Sequence, residues 1–123
     1  MKKVTTILIA FVALEHLYFL VLEMFLWTAP IGLKTFGLTA EFAEQSASLA
    51  ANQGLYNGFL AAGLIWSIVK KEDAFPIRAF FLSCVIVAGV FGAITVKMSI
   101  LYVQAVPALV ALLAAVRLRS VHG

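Results

Sequence analysis

Four long apolar stretches dominate the chain, and short polar segments with glycine or proline separate them. The stretches cover about residues 4–27, 49–69, 77–96 and 99–116. A bilayer core of about 30 Å requires about 20 mostly apolar residues for each crossing helix. The pattern therefore predicts an all-α fold, a four-helix transmembrane bundle that forms one domain over residues 1–123.

The breaks between the stretches carry turn and capping residues. Three residues that favour turns follow the first stretch: Pro30, Gly32 and Gly37. Thr39 can cap a new helix, with Glu41 in its first turn, so the second helix is expected to start near residue 40 and to project from the membrane. The connection at residues 97–99 is short enough to predict a tight hairpin of the last two helices. Pro107 predicts a kink in the fourth helix.

The composition places the chain outside the soluble class. Hydrophobic residues make up 63% of it and charged residues 12%, whereas soluble domains are about half apolar and about one quarter charged. The net charge of +3 is small and confined to helix ends, which argues against nucleic-acid binding. Cys84 is the single cysteine, so no internal disulfide can form, and we interpret it as a packing residue.

Basic residues predict the orientation, because cytoplasmic loops carry an excess of Lys and Arg. In a four-span topology seven basic residues fall on one side: Lys2, Lys3, Lys70, Lys71, Arg78, Arg117 and Arg119. Only Lys34 and Lys97 fall on the other side. Both termini are therefore expected in the cytoplasm, with the protein in the cell membrane and residues 28–48 outside.

Helix one carries ionisable residues at a depth that lipid disfavours. Glu15 and His16 lie near the middle of the first stretch, and Glu23 lies closer to its outer end. A charged side chain at the bilayer centre costs about 2.5–3.5 kcal/mol on insertion scales. His16, Glu23 and Trp27 share one helical stripe, with spacings of seven and four residues. The ionisable side chains are expected to face protein or a cavity rather than acyl chains, and Trp27 is expected to belong to the aromatic belt at the membrane interface.

Helix two carries a matching polar set of four residues: Asn52, Gln53, Tyr56 and Asn57. Gly54, Gly58 and Ala62 form a ridge of small residues that lets another helix approach closely. At about 1.5 Å per residue, the polar sets of the two antiparallel helices overlap in the outer half of the bundle. The seven polar residues from both helices are therefore the predicted binding or proton site, and the inner halves of helices two to four are expected to be almost purely apolar.

Several stretches of the sequence resemble a known family. They are LEHLY at residues 14–18, EMFLW at 23–27, FGL at 36–38 and ANQGLYNGFLAAG at 51–63. On these motifs the chain resembles the domain of unknown function 1304 (DUF1304) family of small bacterial and fungal membrane proteins. The resemblance implies a four-helix membrane fold and brings no activity or catalytic residues with it.

Three functions stay open at this point. The first is a homo-oligomeric binding or transport protein, in which Glu15 and His16 hold a proton or cation and the other polar residues orient a small polar or amphipathic solute. The second is an intramembrane enzyme that uses acid/base chemistry on a lipid or isoprenoid-like substrate. The third is a structural or accessory subunit of a membrane complex, in which the polar layer only holds helices together.

Other chemistry has no support in the motifs. The sequence contains no nucleotide-binding loop, nucleophile motif or haem signature. Glu15, His16 and Glu23 offer oxygen and nitrogen atoms, but their spacing matches no recognised metal motif. We therefore predict no metal site and no cofactor, with the lipid bilayer as the main partner.

Overall fold

A computed structural model of the protein describes residues 1–122, apart from the side chain of His122. Its α-helices are α1 (Lys2–Met24), α2 (Pro30–Phe36), α3 (Ala40–Val69), α4 (Phe75–Thr95) and α5 (Val106–His122), and a π-helical segment (Leu101–Ala105) directly precedes α5. No strand occurs in these 122 residues. The all-α prediction is confirmed, with one short additional helix, α2, in the predicted outer turn.

Three helical runs are long and apolar enough to cross a membrane: α1, α4 and the continuous run Leu101–Val121. α3 has 30 residues, but it does not belong to this set because Asn52, Gln53 and Asn57 lower the mean hydropathy of its central part. Large apolar side chains lie on the surface, as with Ile94 at 79% exposure and Phe25 at 71%. Water would penalise so much exposed apolar surface, so the chain is an all-helical membrane protein.

The start of α3 follows from a local capping interaction. Thr39 Oγ1 accepts a hydrogen bond from the Phe42 backbone N–H at 3.1 Å. This bond satisfies one of the N–H groups that have no partner in the first turn of a helix. α2 ends at Gly37, whose φ of 65° suits a residue without a Cβ. Together these two residues set the chain direction between α2 and α3.

The chain divides into two compact units, and α1 and α3 contribute to both. One unit is Leu14–Ala61. The other combines Met1–Ala13 with the chain from Ala62 onward. All seven predicted site residues lie in the Leu14–Ala61 unit.

In the second unit α4 packs against the π-helical segment and α5 through small residues. A Cβ added to Gly89 would lie 2.7 Å from the Ala105 backbone nitrogen. The buried face of α5 consists of alanines: Ala108, Ala111 and Ala115. Small residues on both sides let the helix backbones approach closely, which is the packing typical of membrane helices.

The π-helical segment lies where the sequence predicted a kink. The Val106 N–H donates to the Leu101 carbonyl, five residues earlier. Pro107 has no N–H, and in a regular α-helix its ring would press on the carbonyl of Val103. The wider π-helical turn before the proline relieves this steric clash. The hydrogen-bond pattern of the helix therefore changes next to Pro107.

Some polar side chains are also buried in the second unit. Thr5 and Ser67 are fully buried, and Ser67 Oγ donates to the Leu64 carbonyl at 2.7 Å. Arg78 Nη2 donates to the Ser67 carbonyl at 3.3 Å. Carbonyls in the last turn of a helix lack N–H partners within the helix. The Arg78 guanidinium provides such a partner at the C-terminal end of α3.

Candidate functional site

Within the Leu14–Ala61 unit, α1 and α3 approach closely at two glycines. A Cβ added to Gly54 would lie 2.7 Å from Met24 Cγ and 3.1 Å from Glu23 Cβ. A Cβ added to Gly58 would lie 2.7 Å from Leu20 Cδ1. These contacts are the close approach that the predicted ridge of small residues allows, and they bring polar side chains of the two helices within reach.

A direct hydrogen bond joins the polar residues of the two helices. Asn57 Nδ2 donates to Glu23 Oε1 at 2.5 Å. The Asn57 side chain is buried and that of Glu23 is partly buried. The two residues are 34 positions apart in the chain, so the bond depends on the antiparallel pairing of α1 and α3. It connects two of the seven predicted site residues.

Glu15 and His16 lie about two helical turns before Glu23 in α1, toward the N-terminus of the helix. His16 is fully buried, and its ring lies edge-on to Phe19 with centroids 5.3 Å apart. Glu15 is partly buried, and its Oε1 is a buried oxygen without a hydrogen-bond partner in residues 1–122. A buried carboxyl oxygen without a partner carries a desolvation cost of roughly 1–3 kcal/mol. A proton, a water molecule or a ligand at this atom would therefore be stabilised.

The remaining three predicted residues occupy the surface of α3. Asn52 and Gln53 are exposed, and Tyr56 is 52% exposed with its ring edge-on to Phe59. Within residues 1–122 their side chains form no hydrogen bond with Glu15 or Glu23. We expected all four polar residues of this helix to point at one pocket. Of these four residues only Asn57 bonds to α1. Asn52 and Tyr56 lie about 140° and 100° from it around the helix, whereas Gln53 is only about 40° away and is exposed.

A second polar interaction, which we did not predict, lies at the outer end of the unit. Trp27 Nε1 donates to Ser46 Oγ at 3.0 Å, and Ser46 Oγ donates to the Phe42 carbonyl at 2.7 Å. The Trp27 ring also packs on Phe36 of α2, with centroids 4.8 Å apart. Trp27 was interpreted as an interfacial residue, and nothing in the pattern singles out Ser46 from other serines of α3.

Two open grooves of the described chain lie away from the polar residues, one beside Lys2 and Lys3 and one on the face of α4 from Phe80 to Phe91. Neither is lined by a predicted site residue. Within residues 1–122 no three His, Cys, Asp or Glu side chains are grouped as a metal ion would require. The geometry is that of a packed polar layer that could hold a proton or a few atoms of a ligand.

Similarity to known sequences shows the family of the chain. Residues 10–116 match the family described as "Protein of unknown function (DUF1304)". The chain belongs to the DUF1304 family. A relative, "Uncharacterized protein YpaA" of Lactococcus lactis subsp. lactis (strain IL1403), is 32% identical over 115 residues, which cover 92% of this chain and 97% of the relative. No solved structure is significantly similar to the chain. The family resemblance noted from the motifs is confirmed.

Proposed function

We propose that this DUF1304 protein is a small binding or transport protein of the cell membrane, and that its Glu15 carboxyl exchanges protons. The site consists of Glu15 and His16 at mid-depth and the Glu23–Asn57 pair nearer the outer surface. A small polar solute that moves with the proton would bind beside these groups. The proposal places α3 in the membrane as the fourth span, with both termini cytoplasmic.

The excess of basic residues on one side supports this topology, and the polar layer explains why α3 is less hydropathic than the other spans. Its polar residues 52–57 occupy only two turns, and the rest of residues 49–69 carry no charged side chain. A helix with one polar face remains compatible with the membrane when that face packs on protein. Asn57 meets this condition through its bond to Glu23.

The observation that carries the proposal is the buried Oε1 of Glu15 without a protein partner. A layer that served only to join helices would be expected to satisfy its costly groups, as the Glu23–Asn57 pair does. An intramembrane carboxyl without a protein partner is more typical of a proton or ligand pathway. The Glu15 carboxyl therefore supports a functional site over a purely structural network.

Replacing Glu15 tests this proposal directly. Glu15→Gln keeps the shape of the side chain but cannot take up or release a proton, so proton flux into liposomes with a pH-sensitive dye should fall to that of protein-free liposomes. Glu44→Gln, at an exposed position of α3, is the matched control and should retain wild-type flux. Equal flux in wild type and Glu15→Gln, or no flux in either, would contradict the proposal.

The Glu23–Asn57 bond favours a second candidate, a structural polar layer in a subunit of a membrane complex. Under this alternative the wild-type protein shows no proton flux and co-purifies with other membrane proteins. Isolation of a stable assembly of this chain alone would argue against it. The hypothesis of a lipid-modifying enzyme stays a prediction, to be checked by comparing lipid extracts of cells with wild type and with His16→Ala.

A further inference from the structure

The exposed face of α3 carries a regular stripe of residues with polar groups at its centre. The stripe consists of Gln45, Leu49, Asn52, Tyr56 and Phe59. Their spacings alternate between four and three residues, which is the repeat of a helix that packs along another helix at a shallow angle. All five are exposed in the Leu14–Ala61 unit; Leu49 is 76% and Phe59 54% exposed. We call this set the α3 stripe.

The α3 stripe lies on the side of the helix opposite to α1. Gly54, which meets α1, is about 140–220° away from the stripe residues at 100° per residue. α1 therefore cannot cover the stripe in this unit. Within the described residues the Asn52 carboxamide and the Tyr56 hydroxyl form no hydrogen bond, although both are strong hydrogen-bonding groups.

We infer that the α3 stripe is the contact surface between two copies of this chain, with Asn52 of one copy hydrogen-bonded to Asn52 of the other. The inference rests on the proposed function, because it requires α3 to cross the membrane. At that depth acyl chains offer no hydrogen bonds, so an exposed carboxamide costs free energy until a polar group covers it.

A second copy suits this surface because of membrane symmetry. Two copies with the same topology present parallel α3 helices at the same depth, so a two-fold axis along the membrane normal brings each stripe residue next to its own counterpart. A carboxamide has both donors and an acceptor, and is therefore complementary to itself. Leu49 and Phe59 above and below add apolar contact, while the polar centre fixes the register.

The assembly would place the two proton sites on the outer sides of the paired α3 helices, because the α3 stripe faces away from α1. Asn57 donates to Glu23 on the α1 side, so the contact along the stripe leaves this bond in place. This arrangement gives the homo-oligomer expected from the narrow bundle a defined interface. It predicts that substitutions in the stripe change association before they change the Glu23–Asn57 bond.

Cysteine cross-linking in native membranes tests the inference. In a Cys84→Ala background, single cysteines at Leu49, Asn52, Tyr56 and Phe59 should form disulfide-linked dimers on mild oxidation. The control Phe25→Cys is 71% exposed at the outer end of α1 and should remain monomeric. Equal cross-linking at Phe25 and at the stripe, or none at the stripe, would overturn the inference.

Association measured by energy transfer in liposomes provides the second readout. Asn52→Ala should weaken association by about 3- to 20-fold, since interhelical hydrogen bonds in membranes contribute about 0.6–1.7 kcal/mol. The matched variant Glu44→Ala should leave association unchanged. Unchanged association in Asn52→Ala would contradict the polar contact.

Labelling separates failure of the inference from failure of the topology. Glu41→Cys should react with an impermeant maleimide from outside, and Lys71→Cys only after the membrane is permeabilised. If both cysteines react from the same side, α3 does not cross and the proposed topology is wrong, as is the dimer contact. Correct labelling without cross-links removes the dimer contact alone.

Discussion

Gly54→Val should destabilise the protein more than any other single substitution considered for the Leu14–Ala61 unit. A Cβ at this position would lie 2.7 Å from Met24 Cγ, 3.1 Å from Glu23 Cβ and 3.3 Å from the Leu20 carbonyl oxygen. Valine adds two more methyl groups, so α1 must move away from α3. We expect the free energy of unfolding to fall by about 1–3 kcal/mol, the usual cost of overpacking, in thermal unfolding of the protein in nanodiscs.

Two matched variants separate packing from helix propensity. Ala62→Val puts the same β-branched residue at an exposed position of α3 and should cost only a few tenths of a kcal/mol. Gly58→Ala meets only Leu20 Cδ1, the flexible end of a side chain, and should be close to neutral. Equal losses in Gly54→Val and Ala62→Val would contradict the close helix contact.

Asn57→Leu should produce the second largest loss, because it removes the donor to Glu23 but keeps the side-chain volume. The Glu23 carboxyl then lacks its partner in a partly buried position, at a cost of about 1–3 kcal/mol. The double variant Glu23→Met/Asn57→Leu replaces both partners by apolar groups of similar shape and should recover much of this loss. The measurement is the free energy of unfolding of wild type, both single variants and the double variant.

The exposed amide of Asn52 provides the control for this cycle. Asn52→Leu changes the same chemical group on the same helix, away from Glu23, and should not couple to Glu23→Met. The Glu23–Asn57 coupling should be about 0.6–1.7 kcal/mol, the range measured for membrane hydrogen bonds. Additive losses at Glu23 and Asn57 would show that the two side chains do not interact.

The elements that follow from local chemistry were predictable from the sequence. Thr39 can cap only the segment that follows it, so α3 starts where its side chain accepts the Phe42 N–H. The overlap of the polar residues of α1 and α3 follows from depth, since two antiparallel helices place their polar sets at overlapping heights, but the pairing of Glu23 with Asn57 comes from the structure. Gly54 indicates the close approach because a residue without a side chain lets two membrane helices pack closely.

Other features depend on packing that the pattern does not encode. α2 is a short helix between Pro30 and Gly37. Its residues were predicted to form a turn because proline and glycine both favour turns. The Trp27–Ser46 bond joins two elements whose relative position comes from this turn. Successive residues of α3 differ by only about 100° around the helix axis. The predicted depth in the membrane therefore could not distinguish Asn57, which meets α1, from its exposed neighbours.

Solid-state NMR in lipid bilayers tests most directly the claim that α1 and α3 satisfy each other's polar groups. With Asn52→Ala, Asn57 is the only asparagine, and its labelled Nδ2 can be measured against labelled Glu Cδ carbons. We predict a carboxyl-to-amide distance below about 4 Å, as a direct hydrogen bond requires. Glu23→Gln should abolish this contact between a glutamate carboxyl and Asn57. A spectrum in which no glutamate carboxyl lies near Asn57 Nδ2 would contradict it.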